Sequence, residues 1–101
     1  MSPTERSLAL LRKEGYLVGI VEKWNPHARI RQDLYGFIDL LAIRPGETLG
    51  VQATSGSNVS ARVAKIAEHE NYPRVLEAGW VIEVWGWRKL KSGWACRRER
   101  L

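Results

Sequence analysis

Residues 36–43 have the sequence GFIDLLAI and are apolar apart from one acid, Asp39. An apolar run of this length predicts a strand that is buried on both faces of a sheet. Residues 44–47 (RPGE) predict a turn, because proline and glycine favour such positions. Residues 48–54 (TLGVQAT) predict the returning strand, so the centre of the chain is expected to fold as a β-hairpin.

The turn decides which residues of this hairpin face one another. With the tip at Pro45-Gly46, counting back along both strands places Asp39 opposite Gln52, where Cβ atoms lie about 4.5–5.5 Å apart. Thr54 shares that face, because strand side chains alternate. A tip one residue longer would shift the register and separate these three polar residues.

The flanking segments predict an α/β domain. Ser2, Pro3 and Glu5 have the arrangement of a capped helix start with a capping box, and Gly15 suits the helix end. A helix between the third and fourth strands allows a parallel crossover, so we expect a restriction-endonuclease-like mixed sheet flanked by helices. The expected order within one domain, residues 1–101, is α-β-β-β-α-β-β: a helix from Ser2 to Gly15, strands over 16–24, 36–43 and 48–54, a helix over 58–71 with a short one after Pro73, and strands over 80–87 and 94–98.

Charge is unevenly distributed along the chain, whose net charge is +5. Residues 1–87 hold ten basic and ten acidic side chains, whereas residues 88–101 hold six basic side chains and one acid. Such a basic end favours phosphate contacts, although a solvated end fits equally well. The loop at 55–58 favours phosphate binding or a simple helix cap. The residues expected to contact nucleic acid are Ser57, Asn58, Arg88, Lys89, Lys91, Arg97 and Arg98.

Other classes of protein are disfavoured. No apolar run approaches the ~20 residues that span a bilayer, and charges interrupt the N-terminal segment, so we expect a cytoplasmic protein without a membrane partner. The single cysteine, Cys96, excludes an internal disulfide and a zinc cluster. His27 and His69 have no partners at metal-ligand spacing, and we expect both at the surface.

Asp39 needs an explanation, because a carboxylate in an apolar strand is unfavourable unless it is hydrogen-bonded, paired or bound to a metal. One interpretation is structural, with the carboxylate bound by turn amides or by Arg29 or Arg31. The other is functional, with Asp39 as a metal ligand and Asp33 as a further candidate ligand.

An acid on one hairpin strand and an acid-x-lysine tripeptide on the next form the pattern of the PD-(D/E)XK nucleases. The chain resembles this superfamily, and its layout is similar to that of the archaeal Holliday junction resolvases and the small virus-type replication-repair nucleases. Asp39 matches the first acid, and the tripeptide falls on residues 52–54. Glu5 matches a glutamate that the first helix of those families often carries, and residues 55–71 match the loop and helix that follow.

Two positions depart from the pattern. Gln52 replaces the second acid, and its amide oxygen is a weak metal ligand. Thr54 replaces the lysine, which is thought to orient the attacking water or to stabilise developing charge. Three explanations stay open. A cation from elsewhere replaces the lysine, for which Arg62, Lys65 and Lys23 are candidates; catalysis has been lost; or the motif does not fall on these residues.

The resemblance implies a nuclease that hydrolyses phosphodiester bonds in branched, single-stranded or end-containing DNA and that forms a homodimer. It would use Mg²⁺ or Mn²⁺, held by Asp39, Glu5 and Gln52, although Glu5 is equally explained as a helix cap. The remaining members of the expected catalytic set are Thr54, Arg62 and Lys65.

Two alternatives stay open. The first is an inactive nuclease fold that binds DNA or a partner protein. The second is a protein-binding adaptor that uses the Trp-rich C-terminal hairpin. Tryptophans there either stack on bases or pack in the core or in a dimer. They are Trp80, Trp85, Trp87 and Trp94.

Overall fold

The computed structural model describes all residues from 1 to 101. It confirms the α/β class and the mixed sheet flanked by helices. The helices are α1 (Pro3–Lys13), α2 (Val59–Ala67) and α3 (Tyr72–Glu77), and the strands are β1 (Leu17–Ile20), β2 (Lys23–Asn25), β3 (Ile30–Gln32), β4 (Leu40–Arg44), β5 (Glu47–Ser55), β6 (Val81–Leu90) and β7 (Gly93–Arg100).

Five strands form the main sheet in the order β1-β4-β5-β6-β7, and β2 pairs with β3 in a separate ribbon. Only β5 and β6 are parallel, and α2 and α3 lie in the connection between them. One core packs against α1, and the other packs against α2 and α3 on the opposite face. A side chain at Gly86 would collide with Val59, so this glycine permits α2 to lie close to β6.

The predicted hairpin register is confirmed, with Arg44 opposite Glu47 and pairing as far as Leu40 and Val51. The predicted strand start at Gly36 is wrong. Residues 35–37 form a turn, with Gly36 at a φ of 94° that favours glycine. The ladder also ends one pair before Asp39 and Gln52.

The predicted strand over 16–24 is divided into two. β1 ends at Ile20, and β2 begins at Lys23 in the separate ribbon. The amide of Val21 still donates to the Asp39 carbonyl at 2.8 Å, so the chain leaves the sheet after that residue. Residues 30–32 form β3, which pairs with β2 in this ribbon.

The N-terminal helix begins as predicted. Ser2 caps α1, and its hydroxyl and the Glu5 carboxylate complete a capping box. The long helix predicted over 58–71 is shorter, because α2 ends at Ala67 and α3 starts anew at Tyr72. None of the helices is long and apolar enough to cross a membrane.

Candidate functional site

Three carboxylates converge at the end of the sheet where β1 ends and β4 begins. Glu22 follows β1, Asp33 follows β3, and Asp39 precedes β4. Oxygen atoms of the three side chains all lie within 4.8 Å of one another. We call these residues the acidic cluster. Three carboxylates at this separation repel one another unless a proton or a cation lies between them.

Asp39 is the buried member of the acidic cluster, with 5% of its surface exposed. Its own amide donates to the Val51 carbonyl at 2.9 Å, and its Oδ2 accepts the amide of Ala53 at 2.8 Å. The side chain therefore binds the β5 backbone beyond the end of the ladder. Burial, with Asp33 and Glu22 nearby, raises the pKa of Asp39 to about 8, although the Ala53 amide acts to lower it.

Glu22 is a ligand candidate that the sequence did not suggest. Its Oε1 accepts hydrogen bonds from Arg31 at 3.0 Å and from the Thr4 hydroxyl at 3.5 Å. The Arg31 side chain is 72% exposed, so water screens this ion pair. A usable signal was present, because Glu22 is the one acid in the apolar and aromatic residues 16–24, just as Asp39 is in residues 36–43.

Glu5 lies outside the acidic cluster. Its carboxylate accepts the Ser2 amide at 3.2 Å, and this hydrogen bond to the helix start lowers the pKa of Glu5. The local cap therefore occupies the side chain that was expected to bind metal. Thr4, its neighbour in α1, is the residue that reaches Glu22.

Gln52 is buried, but both ends of its amide are already engaged. Its Nε2 donates to the Phe37 carbonyl at 3.0 Å, and its Oε1 accepts from Arg62 at 3.4 Å. Thr54 is buried on the same strand, and alternation puts it on the same face. Arg62 thus reaches the sheet from α2, which is the location expected of a replacement cation.

Two clefts meet at Asp33. The outer cleft, of about 490 Å³, is lined by Lys23, Arg31 and the loop over 33–36. The inner cleft, of about 420 Å³, is lined by Gln52, Arg62, Lys65 and His69, among others. Cationic side chains therefore line both of the clefts that Asp33 also lines.

His69 was expected at the surface, but it is half-buried beside the acidic cluster. Its Nδ1 accepts the Asn71 amide at 3.1 Å, and its ring packs edge-on to Phe37. A side chain at Gly36 would collide with the imidazole. The spacing of residues in the sequence did not indicate that His69 lies here. The turn that carries Gly36 brings this loop close to the end of α2, and that approach is a tertiary contact. His27 is exposed, as expected.

The basic residues of the C-terminal hairpin fall into two groups. Arg98 pairs with Glu14, and Arg97 pairs with Glu99. Arg88, Lys89 and Lys91 are exposed and belong to none of the five salt bridges of the chain.

A groove of about 690 Å³ lies between this hairpin and the loop that precedes α2. Ser55, Ser57, Arg88 and Arg97 are among its lining residues. Asn58 occupies the N-cap position of α2, but its side chain donates to the Ser55 hydroxyl and makes no cap hydrogen bond. The helix cap expected within the loop at 55–58 is therefore Asn58 by position, without a capping hydrogen bond from its side chain.

The tryptophans of the hairpin mostly pack inside the protein. Trp85 is fully buried, and Trp87 donates to the Ser7 hydroxyl at 2.9 Å. Trp94 is 45% exposed, with the Arg6 guanidinium 3.8 Å from its ring centroid. Trp80 lies beside Tyr35, with ring centroids 5.9 Å apart.

Comparison with known proteins adds no relative to these observations. No family model matches the chain, and neither the curated proteins nor the solved structures contain a significant match.

Proposed function

We propose that this protein is a divalent-metal-dependent nuclease that hydrolyses phosphodiester bonds of DNA, with Glu22, Asp33 and Asp39 as the metal ligands. The observation that carries the proposal is the convergence of three carboxylates from three separate segments within 4.8 Å. Mg²⁺ and Mn²⁺ prefer carboxylate oxygens as ligands. Burial and the neighbouring acids raise the pKa of Asp39, and a cation bound there would favour its charged form instead.

The chemistry follows from the charges that surround the acidic cluster. A bound divalent cation lowers the pKa of a coordinated water and offsets negative charge on a phosphate. Arg62 and Lys65 line the inner cleft together with Asp33, so they can neutralise the charge that develops during attack on the phosphorus. They supply the positive charge that the uncharged Thr54 lacks.

DNA is the proposed substrate because of where the free cations lie. β5 and β6 are parallel, and Ser55 pairs with Trp87, so the hairpin beyond Trp87 extends from the same end of the sheet as Asp39. Arg88, Lys89 and Lys91 lie on that extension without acidic partners. Phosphate contacts of this kind hold a nucleic acid in place without reading its sequence.

Two observations favour the alternative, an inactive module that binds DNA. Arg31 already neutralises part of the acidic cluster through Glu22, and Gln52 is engaged by Phe37 and Arg62. Under this alternative the cluster is a structural remnant, and salt-sensitive DNA binding would occur without cleavage.

The homodimer also stays a prediction. β1 is an open edge of the sheet, and its Leu17 is 73% exposed, so two copies could pair there. Sedimentation of a Leu17→Lys variant beside the native protein tests this pairing. Unchanged sedimentation of the variant would argue against pairing at β1.

The test is cleavage of end-labelled single-stranded and branched DNA in Mg²⁺, in Mn²⁺ and in a chelator. We expect metal-dependent cleavage that falls at least about a hundredfold in Asp39→Asn, which keeps the shape of the side chain and loses the ligand charge. The control is Glu77→Gln, which removes an exposed carboxylate from α3 and should cleave normally. Binding without cleavage by the native protein would establish the inactive module, and equal cleavage by Asp39→Asn would exclude the acidic cluster as the site.

A further inference from the structure

A cavity of about 330 Å³ lies between α3 and the loop that connects Asp33 to the turn at Gly36. Tyr35 lines both this cavity and the outer cleft, which Asp33 also lines. Because Tyr35 follows Asp33 by two positions, their Cα atoms lie at most about 7 Å apart. The residues that line the cavity are Tyr35, Asn71, Arg74, Val75, Ala78 and Trp80.

The aromatic wall of this cavity is exposed and held in place. Tyr35 is 50% exposed and adopts a φ of 55°, a left-handed conformation that is unfavourable for a bulky residue. The Asn71 side chain donates to the Tyr35 carbonyl at 3.1 Å and so holds this turn. The Tyr35 and Trp80 rings lie 5.9 Å apart at a tilt of 48°, and both residues line the cavity, so one of its walls is aromatic.

The polar edge of the cavity offers a donor and an acceptor. Arg74 takes part in none of the salt bridges of the chain, so its guanidinium is available to a ligand. Asn71 uses its Nδ2 for Tyr35, which leaves its Oδ1 as an acceptor. An aromatic surface with a cation and an amide oxygen at its edge is the chemistry that recognises a nucleobase.

We propose that this cavity, the Tyr35–Trp80 pocket, binds the base of an unpaired nucleotide whose phosphate lies at the acidic cluster, so that the protein acts on single-stranded DNA. This inference rests on the proposed nuclease function for the position of the phosphate, but base binding itself requires no metal. A base inside a duplex is stacked on both sides, and it reaches such a pocket only after it has been flipped out. The pocket therefore selects single strands and frayed ends over intact duplex.

The test is fluorescence anisotropy of a labelled single-stranded oligonucleotide in chelator, where no cleavage occurs. We expect Tyr35→Ala to weaken binding about tenfold, because one base–aromatic stack is lost, and Tyr35→Phe to bind like the native protein. Arg74→Gln, a second variant that leaves the turn intact, should weaken binding severalfold. An intact duplex should bind equally to the native protein and to Tyr35→Ala, and thermal denaturation checks that each variant is folded.

An abasic oligomer of the same length separates base contacts from phosphate contacts. We expect Tyr35→Ala to leave affinity for the abasic oligomer unchanged, because only the sugar–phosphate chain is bound. An equal loss on the abasic and normal strands, or no loss on the normal strand, would overturn the base pocket. In chelator the effect of Tyr35→Ala does not depend on bound metal, so a failed cleavage assay with an intact Tyr35 effect would refute the nuclease and not the pocket.

Discussion

The protein has two groups of three carboxylates, and they differ in how many of their members form ion pairs. On the α1 face, Glu14, Glu47 and Glu83 each pair with an arginine of their own, namely Arg98, Arg44 and Arg100. In the acidic cluster, by contrast, Glu22 pairs with Arg31, and neither Asp33 nor Asp39 forms a salt bridge. The chain therefore neutralises one group internally and leaves net negative charge on the other.

The pKa shifts follow this difference. The hydrogen bond from Arg98 lowers the pKa of Glu14, and those from Tyr16 and Arg44 lower the pKa of Glu47. Burial and neighbouring acids instead raise the pKa of Asp39 to about 8. Matched ion pairs stabilise a fold by themselves, whereas an unmatched acidic cluster favours the binding of a cation from solution. Under the proposed function, the group on the α1 face is structural and the acidic cluster binds the metal.

The largest expected effect tests the contrast through stability. Glu83→Gln should lower the free energy of unfolding by about 2 kcal/mol, because Arg100 loses a mostly buried charged partner. Asp39→Asn should raise it by about 1–2 kcal/mol near pH 8, a gain limited by screening around the partly exposed Glu22 and Asp33. Urea denaturation of the metal-free proteins measures both. If both substitutions lower the free energy of unfolding, the Asp39 charge stabilises the fold as the Glu83 charge does, and the contrast between the two groups fails.

The sign of the Asp39 effect depends on pH. Between pH 3.8, its ordinary pKa, and about 8, folded Asp39 holds a proton that the unfolded chain has released. Stability of the native protein should therefore fall as pH rises through this window and level off above it. The asparagine variant has no such proton, so its advantage should grow between pH 4 and 8.

Binding of Mg²⁺ should have a smaller effect on the free energy of unfolding. Mg²⁺ at tenfold excess over its dissociation constant should stabilise the native protein by about 1.4 kcal/mol. Affinity should weaken by about tenfold for each pH unit below 8, because binding then displaces the proton of Asp39. Thermal denaturation with and without Mg²⁺ at pH 8.5 and 6.5 measures this stabilisation. Mg²⁺ should not stabilise Asp39→Asn, and it should stabilise Glu83→Gln as it does the native protein. A Mg²⁺ effect of equal size in Asp39→Asn would argue against the acidic cluster as the site.

The smallest expected effect concerns Arg31, the one ion-pair partner of the acidic cluster. Because its side chain is 72% exposed, Arg31→Gln should change stability by less than about 1 kcal/mol. It should tighten Mg²⁺ binding about two- to fivefold, since Glu22 no longer has a competing cation. Calorimetric titration measures this, and weaker binding in the variant would mean that Arg31 orients Glu22 rather than competing for it.

The parts of the fold that depend on local sequence were predicted well. The Pro45-Gly46 tip leaves one register for the central hairpin, and the capping box at Ser2 satisfies its own hydrogen bonds within one turn. Strand and helix ends were predicted less well. Whether a strand ends at Ile20 or at Trp24 depends on where a neighbouring strand lies to pair with it. That position is set by tertiary structure and not by local sequence.

The candidate site was predicted only in part for the same reason. Asp39 was identified because it is a lone acid in an apolar run, and Asp33 was noted as a further ligand. Glu22 was missed although it is the one acid in residues 16–24, because nothing local predicts the break after β1 that brings it to Asp39. Glu5 was assigned to the metal on resemblance, yet its local hydrogen bond to Ser2 takes precedence.

The order of strands in the sheet has a consequence for how the protein folds. The β4–β5 hairpin is a local structure, so it can form early and hold Asp39 against the Ala53 amide. Glu22 and Asp33 arrive only when the segment over 21–33 closes over that end. We expect repulsion among the acids to oppose this closure, as a step that follows the folding barrier. A bound cation would consequently slow unfolding and leave the rate of folding nearly unchanged.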